Sequence, residues 1–485
     1  MDQLTLISKL GKNRGVAAAM IGAGIGFLIL YAIWTEHKFI GLAIMSALFI
    51  ITGLLFFGMR IEKFSFLVLL LVFIPMSISI RSVPGWQPYE ILLPILLLLY
   101  LSRSAIKRER PLRTPRFSIP LLLFLIIACL HILTLPNLSE VIKSFLNLKI
   151  AQGGYRIYYA VLMCGIVYFL TPCLFKTEEQ MKSFIKVLSV ILFLQIIISF
   201  VRIFLGIETL PYPFDTYGTR IYSVVSEQGT SFRVGVLGNA GYLLFLILLI
   251  FMRQHLNKII FICLVGICIV AVILSGYRIG FLSLIISTLF FWYLTGRKRK
   301  AVVGIILILP VLLILGLNAG IVREMPAVFH RPLGVLSPDN PSWTRGQNTR
   351  LEMWTIAKEK IIRNPLWGGE VSDVGFHPKA FDNVKRGGAH NLYLSVMATF
   401  GIPALIFWLI FAISYFRKAV YLYRKTYNFP SLNRFCLFLA ILLGVSFFNF
   451  FGEGGAAGGV PFFLYLGLID VAWNIYLKNK AGTKQ

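Results

Sequence analysis

Residues Asn391–Ser414 read NLYLSVMATFGIPALIFWLIFAIS, a run without Asp, Glu, Lys or Arg. A helix that crosses the hydrocarbon core of a bilayer needs about 20 such residues. The run therefore predicts one membrane span, and it sets the reading of its neighbours. Apolar runs of the same kind recur along the 485-residue chain, which is 58% hydrophobic with a mean hydropathy of +0.80. They are continuous rather than alternating, which argues against a lipid-facing barrel. The chain reads as an all-α polytopic membrane protein.

Working outward, about fourteen spans fit. They lie near 15–34, 39–58, 64–80, 87–102, 117–135, 157–171, 184–205, 236–252, 257–274, 278–295, 301–317, 391–414, 435–451 and 459–477. The connections alternate in charge. Met1–Arg14, Arg60–Lys63, Arg103–Arg116, Lys176–Lys186, Arg253–Lys258, Arg297–Lys300, Arg417–Arg434 and Lys478–Lys484 are basic, whereas the short loops between them are nearly free of Lys and Arg. Fourteen spans place the basic set on one face, which the positive-inside rule makes cytoplasmic, together with both termini. The formal net charge of +27 is then mostly a topology signal and not a nucleic-acid footprint. No small-residue cleavage site follows the run Gly15–Trp34, so it reads as a retained first span. The expected organisation is 1–317 as spans one to eleven with outer loops 134–156 and 202–235. A large, partly helical periplasmic loop follows at 318–390, then spans twelve to fourteen and a cytoplasmic tail at 391–485. Within Thr134–Arg156, Val141, Ile142, Phe145 and Leu146 fall on one side of a helix that lies on the outer surface. The six cysteines are scattered, with no CxxC and no Cys/His metal spacing.

The large loop holds the polar stretch WTRGQNTRLEMWTIAKEKIIRNPLWGGE, starting at Trp343. Thr349 and Glu352 have the spacing of a capping box, and the helix they start stops before Asn364-Pro365. Arg350 then sits in its first turn, where free N–H groups and the helix dipole favour an anion. Arg278, in LSGYRIGF, stands at the outer start of span ten. An Arg at that depth needs a partner, water or headgroups. His390 precedes Asn391 at the start of span twelve, where a helix N-terminus favours the neutral imidazole, able to accept a proton from a sugar hydroxyl. Arg156, beside Tyr155, Tyr158 and Tyr159, and Arg233 with Asn239, in SFRVGVLGNAG, mark two further outer helix starts. An ion pair or a headgroup contact would account for any one of these residues. Their convergence on outward helix starts points to an anionic substrate.

These residues carry a resemblance. Ser275-Gly276-Tyr277-Arg278-Ile279-Gly280 resembles the Ser-x-x-Arg-x-Gly motif of the O-antigen ligase and polymerase superfamily, bacterial membrane glycosyltransferases of the GT-C class. Arg350…Trp354 with Asn364-Pro365-Leu366-Trp367-Gly368 resembles its Arg…Trp…Pro-Leu-x-Gly core. His390-Asn391 followed by Gly401 resembles its His-Asn…Gly signature. The resemblance implies a GT-C-like helical fold in the bacterial inner membrane. It implies transfer of a glycan from an undecaprenyl-diphosphate carrier to a sugar hydroxyl on the periplasmic face, with inversion and without a cofactor or metal. Arg278 and Arg350 would hold the departing diphosphate, and His390 would activate the acceptor. Arg156, Arg233, Asn239, Arg345, Trp354 and Asn391 would contact diphosphate or glycan. Flippase and chain-length regulator proteins would be partners, alongside membrane lipids.

Ala404 stands where the ligase form usually has Gly, Thr or Tyr. With the span count and the second outer loop, this favours a repeat-unit polymerase over a ligase acting on lipid A–core. A protein O-oligosaccharyltransferase is a further reading. So is a glycolipid transporter, which would place charges near span centres, whereas the spans here read as apolar.

Overall fold

The computed structural model describes residues 68–74, 78–80, 83–86, 119–133, 156–208, 221–226, 229–317, 354–369, 391–452 and 459–482, with 89–90, 92–94, 96–97 and 100. In chain order the helices are α1 (Ile119–Leu133), α2 (Arg156–Leu174), α3 (Glu178–Leu205), α4 (Gly235–Ile247), α5 (Lys258–Leu274), α6 (Arg278–Leu294), α7 (Lys298–Leu317), α8 (354–363), α9 (Leu392–Lys425), α10 (Pro430–Gly452) and α11 (Gly459–Gly482). Five described helices are long and apolar enough to cross a membrane: α3, α4 with its π-helical extension Leu248–Met252, α9, α10 and α11. The fold is helical, as the apolar runs require. The expected spans before residue 68, the outer surface helix at 134–156 and most of the large loop lie outside the described residues.

Two antiparallel hairpins interrupt the helices. Ile78–Ile80 (β1) pairs with Val83–Trp86 (β2), and Tyr222–Ser226 (β3) pairs with Gly229–Arg233 (β4). The first corrects the expected third span, whose last residues form a strand. The alternating Ile-Ser-Ile favours extended backbone, and Pro84-Gly85 cannot carry a helix onward. The second lies within the stretch 202–235 expected as an outer loop, and its strand β4 delivers Arg233 directly to the start of α4.

Several basic connections are shorter than expected. Helix α3 begins inside the stretch read as a loop. Thr177 closes a capping box there, its hydroxyl accepting from Gln180 N at 3.3 Å while Gln180 Oε1 accepts from Thr177 N at 3.1 Å. Most of Arg417–Arg434 is likewise helix. α9 runs on to Lys425, and Pro430 opens α10, where its missing N–H is harmless.

Packing fixes the helix directions. A Cβ added at Gly459 would lie 3.0 Å from Cys164 Sγ, and one at Gly467 would lie 2.6 Å from Thr171 Cβ, so α2 and α11 run parallel and nearly touch. Small residues serve this purpose in lipid, where no hydrophobic force separates helix from solvent and close van der Waals contact must do the work. Gly444 against Phe290 sets α10 antiparallel to α6, and Gly241 against Cys268 and Val272 sets α5 antiparallel to α4. Trp408, Phe450 and Phe462 pack ring to ring where α9, α10 and α11 meet. In this arrangement the connections carrying Lys176, Arg253, Arg297 and Lys425 gather at one end of the bundle. The turn before Arg278 lies at the other.

The expected twelfth span needs the largest correction. Gly401 has φ 85 and ψ 171, so α9 is two helices, 392–400 and 402–425, joined at a break. Their directions differ sharply. Tyr393 and Trp408 would be about 22 Å apart along a straight helix, yet their ring centroids are 5.9 Å apart. The first piece folds back over the second, and only the second continues through the bundle. Pro403, which has no N–H for Thr399, prevents the helix from closing across the break.

Candidate active site

Two helix starts are pressed together around Ser275-Gly276-Tyr277. Ser275 is fully buried. Its hydroxyl donates to Val272 O at 2.7 Å and accepts from Tyr277 N at 3.1 Å, while its carbonyl accepts from Val234 N at 2.8 Å. Gly276 takes φ 55 to complete the turn. A Cβ at Gly280 would lie 3.3 Å from the Gly238 backbone, and one at Gly238 would meet Ser275 Oγ at 2.7 Å. Both glycines are therefore needed for α4 and α6 to approach. Neither helix has a side-chain cap, since their N-cap residues are Val234 and Tyr277. Two positive dipole ends are thus adjacent. Arg278 is the first residue of α6 and is half-buried, Arg233 immediately precedes the α4 N-cap, and Asn239 is exposed on α4.

The second element is a clasp between the turn 364–369 and the break in α9. In an unbroken helix Ile402 N would donate to Ala398 O. Here Ile402 N donates to Pro365 O and Ala398 O accepts from Gly369 N, both at 2.8 Å. The turn thus takes over both halves of the lost hydrogen bond, as a helix break in a bilayer requires. Gly368, with φ 79, lies against the Thr399 carbonyl, and Gly401 lies against the Leu366 carbonyl. Trp367 and Phe400 flank His131, buried near the end of α1, with centroids 6.3 and 5.7 Å from its ring. Helix α8 rests on the first piece of α9 through Ala357 and Ala398, with Ile361 and Leu394 beside them. Trp354 opens α8 and is partly exposed.

Asn391 is buried and caps the first piece of α9, its Oδ1 accepting from Leu394 N at 3.1 Å. Replacing it with Ala is expected to destabilise this helix start by roughly 1 kcal/mol. Asn391→Asp should retain most of the capping, and thermal unfolding in detergent would compare the two.

Both elements are tied to the last turns of α10. Ser283 Oγ donates to Asn449 Oδ1 at 2.9 Å, and Tyr393 Oη donates to Phe447 O at 2.8 Å. The α6 start carrying Arg278 and the α9 start carrying Asn391 are therefore attached to one segment. His390, Arg345 and Arg350 lie outside the described residues, as do the side chains of Arg156 and Arg233. Arg156 begins α2, with Tyr159 one turn on donating to Glu90 O.

Sequence reasoning passed over three polar groups. Arg202 is buried near the end of α3, where its Nη2 donates to Glu208 O at 2.7 Å and ties down the residues that follow the helix. His131 is the second. The third is a buried network in which Lys418 pairs with Asp470. Tyr415 and Tyr168 donate to Asp470 Oδ2 at 2.7 and 3.1 Å. Contrary to expectation, the spans are therefore not uniformly apolar. A lone Asp in the run GLIDVAW and a lone His in ACLHILT were the available signals.

Comparison with curated proteins gives no match. A family model described as O-antigen ligase matches residues 263–409. That range holds Arg278, the clasp and the break in α9 at Gly401. With its several membrane-length helices, this chain is a multi-pass membrane protein that is similar to the O-antigen ligase family over residues 263–409.

Proposed function

We propose that the chain transfers a glycan from an undecaprenyl-diphosphate-linked donor to a sugar hydroxyl on the periplasmic face of the bacterial inner membrane, extending a repeat-unit polysaccharide. The observation that carries this is the pair of side-chain-uncapped helix starts, α4 and α6, held together at Gly238 and Gly280 with Arg278 at the junction. Two dipole ends and a guanidinium suit an oligoanion such as a diphosphate. In the reaction, the acceptor oxygen forms a bond to the anomeric carbon as the bond from that carbon to the diphosphate oxygen breaks. Its electron pair leaves with the diphosphate, and the anomeric centre inverts. Arg278 and Arg350 stabilise the departing charge without a metal. His390 takes the acceptor proton. Arg156, Arg233, Asn239, Arg345, Trp354 and Asn391 are the further contacts for diphosphate and glycan. The large loop 318–390 and the helices around it, 1–317 and 391–485, are the functional divisions of the chain.

Transfer to lipid A–core is the second reading, favoured by the description of the matching family model. The buried Lys418–Asp470 pair gives the transporter reading little support, because its charges are saturated by each other and by two tyrosines.

A reconstituted assay decides among these readings. Purified protein receives undecaprenyl-diphosphate-linked repeat units in the presence of chelator, and products are sized on a gel. A polymerase makes a ladder of lengthening lipid-linked glycans, a ligase gives product only when lipid A–core is added, and a transporter gives none. Arg278→Ala is expected to lower transfer by roughly 100-fold or more, the loss typical for a donor to a developing oxyanion. Arg350→Ala and His390→Ala should show comparable losses. Wild-type rates in all three variants would remove the assigned roles.

A further inference from the structure

At the end of the bundle opposite Arg278, a cavity of about 370 Å³ opens between the π-helical end of α4, the end of α6 and the start of α10. Its walls are apolar, formed by Leu249, Ile250, Phe291 and Leu437. Arg253, Gln254 and Arg297 line it too, with both arginines exposed. The wider π turn Leu248–Met252 supplies Leu249 and Ile250, a local departure from helical geometry of the kind often found at functional sites. Arg434 fixes one side by bonding to both Gln254 and His255. The described carboxylates at this end are already committed. Glu178 and Glu179 pair with Lys182, and Asp470 with Lys418. No described acidic residue pairs with Arg253 or Arg297.

We propose that this cavity binds the phosphate headgroup of an anionic phospholipid, with the two guanidiniums on the phosphate and the glycerol and first methylenes against the apolar walls. Arginine matches phosphate oxygens in geometry and charge. Basic pockets between membrane helices take such headgroups. A soluble phosphate would use the arginines alone, whereas the apolar walls suit a ligand with an acyl end.

Native mass spectrometry of the full-length protein in neutral detergent tests the assignment, with phosphatidylglycerol as probe and phosphatidylcholine as control. Wild type is expected to retain phosphatidylglycerol selectively. Arg253→Gln with Arg297→Gln should weaken retention by roughly 30-fold, from the usual contribution of two basic residues to anionic lipid binding. Arg299→Gln with Lys300→Gln removes equal charge from exposed positions at the same end and should leave retention unchanged. Leu437→Trp keeps both arginines but fills the wall and should also abolish retention. Equal retention of phosphatidylcholine, full retention in the cavity variants, or displacement of the lipid by inorganic phosphate at equimolar concentration would overturn the proposal.

Discussion

Gly401→Ala and Gly368→Ala are each expected to abolish glycan transfer and to open the clasp between the turn 364–369 and α9. At Gly401 the backbone lies at φ 85 and ψ 171, a region that essentially only glycine occupies, and forcing another residue there costs roughly 1–3 kcal/mol. Collision adds to this, because a Cβ at 401 would run into the Leu366 carbonyl and one at 368 into that of Thr399. These neighbours are backbone atoms, which cannot swing aside. Opening the clasp would in turn leave Ala398 O and Ile402 N without the partners supplied by Gly369 and Pro365. Both substitutions break the same contact, so the double variant should be little worse than either single one. Gly369→Ala is the control, since a Cβ there would find Ala398 O at an ordinary 3.6 Å. Transfer assays and proteolysis of the 354–369 segment would read the result. Wild-type activity in Gly401→Ala would show that the break is not required.

The clasp also shows what the sequence made legible. Pro-Leu-x-Gly and His-Asn…Gly stand out as motifs, and chemistry alone would assign both to substrate. In the structure their glycines serve packing instead, with Gly368 and Gly401 facing one another across a backbone contact. In Ser275-Gly276-Tyr277-Arg278-Ile279-Gly280, likewise, Ser275 and Gly280 build the turn that presents Arg278. Motif spacing marked segments that the fold brings into close backbone contact, but it did not separate residues that shape the backbone from residues proposed to act on substrate.

The fold-back of α9 was harder to see. An apolar run has the same composition whether it is straight or broken, and a Gly-x-Pro inside a membrane helix is often tolerated. What breaks this one is a contact with residues more than thirty positions earlier, which no local pattern records. The helix ends were misplaced for a related reason. Lys and Arg mark the membrane boundary, but they are also good helix formers, so α3 and α9 continue through stretches that the charge pattern assigned to loops.

Removing one partner of the Lys418–Asp470 pair should be the most damaging change in the bundle interior. Asp470 on α11 accepts from Lys418 and Tyr415 on α9 and from Tyr168 on α2, so one carboxylate joins three helices. The Tyr168 and Tyr415 hydroxyls also lie against each other, and Lys418 Nζ lies 5.2 and 5.4 Å from the rings of Tyr415 and Trp473. Asp470→Ala or Lys418→Ala strands a buried charge, for which the usual loss is about 3–5 kcal/mol. Tyr415→Phe removes one donor and should cost about 1–3 kcal/mol. The double change Asp470→Leu with Lys418→Met replaces the pair by apolar groups of similar size and should recover most of the stability lost in either alanine variant. Thermal unfolding in detergent measures all four, and transfer activity supplies a second readout. A purely structural pair predicts that the double variant both folds and transfers glycan, because the network lies toward the Lys425 end of α9, away from Arg278. A double variant that folds but is inactive would instead place the pair in the working cycle of the protein. Charge inside the spans would then count in favour of a transporter.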